Sequence, residues 1–212
     1  MSNWFIRIIV SPIGKKLVMA VTGLFFCLFL FVHIIDNMMI YRGKVAFDAY
    51  VKALHSFPLF IATIEIGLII FASLHIGFGL VLFYQNWRAR PTDYKKREWA
   101  GGRTLSSSLM PYTGLYILVF IIIHLINFRL TSHAGESIYE MLASAFSNPA
   151  YVVYYAFSVI VVALHVKHGF WSAFQSLGLN HPKYMPFIEK VGILFAIAVV
   201  ITMGYVPIYF YL

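Results

Sequence analysis

The sequence predicts an all-α integral membrane protein: a single bundle of five transmembrane helices over residues 1–212. Three observations carry that expectation. Of the 212 residues, 61% are hydrophobic and only 11% charged, against the roughly 25% charged residues usual in soluble chains. Apolar runs long enough to cross a bilayer, about 20 residues each, recur along the whole length. The charges gather in the short segments between those runs, and no segment has the size and polarity of a separate soluble domain.

Charges and prolines divide the chain into spans at about 14–41, 58–87, 109–131, 149–178 and 188–212. The first opens at Lys15 and Lys16 and closes before Arg42. It is too long for the apolar region of a cleavable signal, and its lone Cys27 reads as a small buried hydrophobe. The second runs from Pro58 to Trp87, and the fourth from Pro149 to Gly178. Both are long enough to tilt or to extend past the bilayer. The third lies between Ser108 and Thr131, and the fifth runs to the carboxyl end. Internal glycines do not argue against these helices, because membrane helices tolerate them. The connections 43–56 and 133–148 place Val45, Tyr50, Val51 and Leu54, and Ile138, Met141, Leu142 and Phe146, at helical spacing. Both read as short helices lying on the membrane surface. No internal repeat is expected.

The net charge of +8 reads as topology and implies no nucleic acid. Arg7, Lys15, Lys16, Arg88, Arg90, Lys95, Lys96, Arg97, Arg103, Lys183 and Lys190 fall on one side of the membrane; Arg42, Lys44, Lys52 and Arg129 fall on the other. The positive-inside rule then puts the amino terminus in the cytoplasm and the carboxyl terminus outside. Trp4, Trp87, Trp99, Tyr205, Tyr209 and Tyr211 lie near span ends, as an aromatic belt requires.

Ionisable residues inside membrane helices are costly and point to function. His33, His75, His124 and His165 each fall deep in one of the first four spans, and the fifth span has none. A lone membrane histidine often just bonds across helices, but one on each of four successive helices calls for another explanation. Counting from the span ends, His33 and His124 lie nearer the outside, and His75 and His165 nearer the inside. At 1.5 Å per residue the layers differ by roughly 10 Å or more. Two histidines per layer on different helices suit two stacked bis-histidine haems, whereas zinc more usually gathers three or four ligands at one level. At about 100° per residue, Thr22, Phe26 and Phe29 share the face of His33, and Leu68, Ala72 and Gly79 that of His75. Thr113, Ile117 and Asn127 or Phe128 flank His124; Ser158, Gly169 and Ser172 flank His165. Gly79 and Gly169 would let a flat macrocycle approach the backbone, or would serve helix packing. His55, His133 and His181 sit in connections and read as solvated. His168 is placed to bond a haem propionate or a helix neighbour. The basic group of Lys15, Lys16, Arg88 and Arg103 suits the propionates of the inner haem, although topology alone explains it.

The segment His165-Val-Lys-His-Gly-Phe-Trp-Ser-Ala-Phe-Gln-Ser-Leu-Gly, followed by His181-Pro-Lys-Tyr, resembles the cytochrome b anchor of succinate:quinone oxidoreductases, of the single-anchor, five-helix, dihaem type. The resemblance extends over nearly the whole chain. It implies two haem b groups, with His75 and His165 as ligands of the proximal haem and His33 and His124 of the distal haem. It also implies a flavoprotein and an iron–sulfur protein docked on the cytoplasmic face of a bacterial inner membrane, and menaquinone as the quinone partner near the distal haem. One departure is Ala163, where some relatives carry a glutamate. Asp36 and Asn37, one turn beyond His33, and Asp48 in the first outer connection are the candidate quinone-site residues, because quinone chemistry moves protons and a carboxylate near the outer water would relay them. The competing expectations are a dihaem cytochrome b of a hydrogenase or formate dehydrogenase, and an intramembrane-histidine metal transporter.

Overall fold

The structure, a computed structural model, describes residues 3–88, 105–131 and 135–212. Among these residues it is built from helices alone, and five are long and apolar enough to cross a membrane. The expected spans hold to within a few residues. A short first helix that the apolar pattern did not announce, α1 (Asn3–Val10), leads into α2 (Pro12–Met38). The break is chemical: Ser11 caps α2 by accepting the Gly14 N–H at 3.0 Å, and Pro12 occupies the first turn, where its missing N–H costs nothing. A 3₁₀ turn, Met39–Arg42, ends that span at Gly43, whose φ of 85° suits a residue without a Cβ.

The two expected surface helices form, as α3 (Lys44–His55) and α6 (Ile138–Phe146). The second opens with a reciprocal capping box between Ser137 and Glu140. Between them run α4 (Pro58–Arg88) and α5 (Leu105–Leu125), the latter continuing as a π-helical turn, Ile126–Leu130. The last two spans, α7 (Pro149–Ser176) and α8 (Met185–Tyr211), both carry a proline in their first turn.

Helix α2 packs between α4 and α7, and α7 packs between α2 and α5, so these four form a ring in which α4 and α5 barely touch. Helix α8 lies outside the ring, chiefly against α7. The buried core has two parts. One gathers Ile40, Phe47, Leu142, Phe146, Tyr155 and Val206 beneath α3 and α6, which together cap one end of the bundle. The other joins Ile34, Val159, Ala163, Ala196 and Val199 where α2, α7 and α8 meet. Helix α4 buries none of its 31 residues, and its Ile66, Ile69 and Ile70 face outward with Leu28 and Phe31 of α2 and Leu194 and Ile201 of α8. Water would not tolerate so much continuous apolar surface on a monomer; a bilayer would.

Candidate functional site

The four intramembrane histidines come together as two pairs at two levels. His33 on α2 and His124 on α5 face one another across the ring diagonal, with ring centroids 6.1 Å apart and planes at 89°. His75 on α4 and His165 on α7 form the other diagonal and lie within electrostatic reach of one another. The levels can be read along single helices. Thr22 on α2 bonds His75, and His33 follows eleven residues later; Thr113 on α5 bonds His165, and His124 follows eleven residues later. Eleven residues of helix rise about 16 Å, more than the sequence expectation required.

At the level nearer α3 and α6, Phe29 stacks on His33 at 5.4 Å, and Phe120 and Phe128 flank His124 at 5.9 and 5.4 Å. Asn37 donates to the His33 carbonyl at 2.7 Å, and its amide also lies 3.3 Å from His33 Nε2. His124 Nδ1 is buried with no hydrogen-bond partner among the described residues, which a native interior rarely leaves unexplained. The π turn begins two residues after His124. Such turns are uncommon and concentrate at functional sites, and nothing in the local residue pattern foretold this one.

At the other level the contacts are polar. Thr22 Oγ1 lies 2.9 Å from His75 Nδ1, and Thr113 Oγ1 lies 3.0 Å from His165 Nδ1. Phe26 meets the edge of His75 at 5.7 Å. Thr22 and Phe26 thus serve His75, although helical spacing placed them with His33; Phe29 alone of that group stays with His33. A Cβ added at Gly23 would lie 3.4 Å from His75 Cε1, and one at Gly114 would lie 3.4 Å from His165 Cε1, so both rings rest directly against neighbouring backbone. Gly79 and Gly169 pack against the Met19 and Met110 methyl groups.

The absence of a repeat, expected from the sequence, does not hold at this level of detail. Met19-x-x-Thr22-Gly23-Leu24, Phe29 and His33 on α2 correspond in spacing to Met110-x-x-Thr113-Gly114-Leu115, Phe120 and His124 on α5. His75 and Gly79 on α4 correspond to His165 and Gly169 on α7.

The donor set fits a macrocycle-bound iron. Two metal–nitrogen bonds of about 2 Å, with the half-widths of two imidazoles, put ring centroids about 6 Å apart, and the observed 6.1 Å agrees. Among the described residues no three or more His, Cys, Asp or Glu converge on one point. A pair of histidines would suit a metal that brings its remaining ligands with it, as haem iron does.

Basic residues lie at the open end, opposite α3 and α6. Lys15 is buried and donates to Gln85 Oε1 at 2.9 Å, whereas Lys16 and Arg88 are exposed. Arg88 also lines a cavity of about 600 Å³ with Leu80, Val81, Tyr84 and Gln85. His168 is buried and meets Trp171 edge-on at 5.0 Å. Arg103 and His133 lie outside the described residues, as does the basic stretch 89–104.

At the capped end, Asp36 accepts from the Tyr50 hydroxyl at 2.5 Å. That bond, with burial, pushes the Tyr50 phenol up to about 12. Asp48 is held by Lys44 at 2.9 Å, and Lys44 also reaches Glu140 at 3.5 Å, joining α3 to α6. The Ser137 backbone N–H holds the Glu140 carboxyl below its ordinary range. A second cavity, of about 330 Å³, lies on the α5–α7 side and is lined by Asn127, Glu136, Ser144 and Tyr151 among others.

No family model matches the chain, and no solved structure does. Among curated proteins, the chain is similar to the succinate dehydrogenase cytochrome b558 subunit of Bacillus subtilis (strain 168). The two are 26% identical over 182 residues, which cover 84% of this chain and 85% of the relative.

Proposed function

We propose that this chain is the haem b-carrying membrane anchor of a succinate:quinone oxidoreductase. In this reading it passes electrons between a membrane quinone and an iron–sulfur subunit whose complex interconverts succinate and fumarate. The observation that carries the proposal is the arrangement of four histidines as two pairs, at two depths, on the diagonals of one helical ring. The name of the curated relative supports it independently.

His75 and His165 would hold the inner haem, and His33 and His124 the outer one. When bound, haem b supplies one-electron redox chemistry. The chain's part is to present imidazoles, wall the site with aromatic rings and keep water away. Lys15, Lys16, Arg88, Arg103 and His168 are the candidate propionate contacts. Lys15 is the one whose ammonium the structure buries. The amino terminus lies in the cytoplasm of a bacterial cell, and a flavoprotein and an iron–sulfur protein dock on the basic open end. Menaquinone is taken near the outer pair, where Asp36 and Asn37 flank His33 and Tyr50 ties Asp36 to α3. The cavity between Asn127 and Tyr151 favours a second location on the α5–α7 side of the same end.

Purification of the complex tests the whole reading. It should yield reduced-minus-oxidised b-type spectra, flavin, iron–sulfur signals and succinate- or fumarate-dependent turnover. A complex carrying nickel or molybdenum instead would overturn it in favour of a hydrogenase or formate dehydrogenase cytochrome, and a chain without haem would overturn it altogether. A photoreactive quinone should label residues around Asp36 or Asn127; labelling confined to the open end would refute the outer quinone site.

A further inference from the structure

The two threonines beside the inner histidines resolve a question that histidine ligation always poses, namely which ring nitrogen carries the proton. A threonine hydroxyl has one hydrogen to give and two lone pairs to offer. Thr22 lies 2.7 Å from the Val18 carbonyl oxygen and 3.2 Å from that of Met19. Thr113 lies 3.1 Å from the carbonyl oxygens of both Leu109 and Met110. Each hydroxyl hydrogen is therefore directed back into its own helix, the usual habit of threonine inside a helix. What remains to face the imidazole is a lone pair, at 2.9 Å from His75 Nδ1 and 3.0 Å from His165 Nδ1. A lone pair facing a ring nitrogen requires that nitrogen to be N–H. Both rings are thereby held as the Nδ1–H tautomer, with Nε2 unprotonated.

The outer pair is treated differently. His124 Nδ1 has no partner among the described residues, and His33 is approached at Nε2 by the Asn37 amide. The same Thr-Gly pair occurs on α2 and α5, and each time it serves a histidine on a neighbouring helix, one on α4 and one on α7. Two independent occurrences of one geometry argue against chance.

We propose that Thr22 and Thr113 are positioning residues for the inner haem. Through Nδ1 they fix the tautomer and the rotation of His75 and His165, so that both Nε2 lone pairs are set for iron before it arrives. The inference rests on the haem reading above. Its chemical consequence is specific. An acceptor at Nδ1–H raises the basicity of the ligating nitrogen, and a more basic axial ligand favours ferric over ferrous iron. The angle between the two imidazole planes is fixed at the same time.

The test uses the intact purified complex with Thr22→Val, Thr113→Val and the corresponding Thr→Ser variants. Valine keeps the shape and removes the hydroxyl, whereas serine keeps the hydroxyl. Each valine variant should raise the midpoint potential of the inner haem and displace its low-spin ferric EPR signal. Each should also weaken retention of that haem by about 10- to 100-fold, the usual effect of losing such a partner. The outer haem should keep its spectrum and potential, and the serine variants should behave as wild type. Unchanged inner-haem potential and EPR in both valine variants would overturn the proposal while leaving the two-haem reading intact. Serine variants that reproduce the valine defect would also overturn it, since the hydroxyl and not the methyl group is the agent. A wild-type complex lacking haem b would instead overturn the reading beneath.

Discussion

Replacing the histidines one at a time tests the pairing most directly. His33 and His124 stand 6.1 Å apart between ring centroids, a spacing that admits one iron and no more. The other pair lies about 16 Å away along the bundle, from eleven residues of helix rise on both α2 and α5. No single substitution should therefore disturb both sites. His33→Ala and His124→Ala should each lower the haem content of the purified complex to about half, removing the same spectral component. His75→Ala and His165→Ala should each remove the other component. The double variant His33→Ala/His124→Ala should lose no more haem than either single one, because two ligands of one iron act as a unit and their effects do not add. Haem extraction with redox-difference and EPR spectra on the four variants reads this out. If His33→Ala and His75→Ala abolished the same component and spared the other, the pairing and the depth argument beneath it would both be wrong.

Other expectations concern the capped end and the seam between α4 and α5. Arg129 meets Glu65 through two contacts, Nε–Oε1 at 2.6 Å and Nη2–Oε2 at 3.1 Å, where these helices otherwise barely touch. Arg129→Gln should lower thermal stability by about 0.2–1 kcal/mol, because Arg129 is exposed and Glu65 half-buried, and the swap Glu65→Arg/Arg129→Glu should recover part of the loss; equal losses in swap and single variant would show that the pair does not join the helices. Ser137→Ala removes the cap of α6 and should cost about 1 kcal/mol, measured by thermal unfolding in detergent. Because the Ser137 backbone N–H holds the folded Glu140 carboxyl below its usual value, that contribution is present above the ordinary carboxylate range and is lost as pH falls through the depressed folded value, so Glu140→Gln, which removes the titrating group, should flatten that acid limb. Tyr50 and Tyr139 are both pushed up to about 12, Tyr50 by its bond to Asp36 and Tyr139 by its bond to Tyr209. Their contribution is complete below about 10 and lost as pH rises through 12. Tyr50→Phe should therefore weaken the alkaline dependence of stability, and an unchanged profile would rule Tyr50 out as its source.

Most of the fold was legible because the membrane restricts the choices: long apolar runs must be helices, and helices must alternate in direction. The two histidine levels followed from counting along those runs. The contacts between helices were not legible. Thr22 and His33 stand three turns apart on one face of α2, so periodicity grouped them. In the bundle that face meets α4 at the level of Thr22 and α5 at the level of His33, and a periodicity names no neighbour. The same limit hid the difference between Lys15 and Lys16, where a shift of one residue turns a side chain about 100°, from the exposed surface to Gln85. Within the π turn after His124, Phe128 packs against Phe146 and Tyr155, contacts that a sequence pattern does not announce. The correspondence of α2 with α5 was present in the letters, but so few positions match that it stood out only once Thr22 and Thr113 were seen to make the same bond.

The separation of the two levels has an electrical meaning. A hydrocarbon core is about 30 Å thick, so a charge carried between the levels crosses roughly half of it. One charge moved fully across works against about 2.3 kcal/mol per 100 mV of membrane potential; between the levels the work is about 1.2 kcal/mol. If each histidine pair holds a haem, as proposed, that would change the equilibrium between an electron at the His75–His165 level and one at the His33–His124 level by about eightfold for every 100 mV. Since the levels are fixed by the rise of α2 and α5, under the two-haem proposal the membrane voltage would act as a bias on electron position, with no moving part.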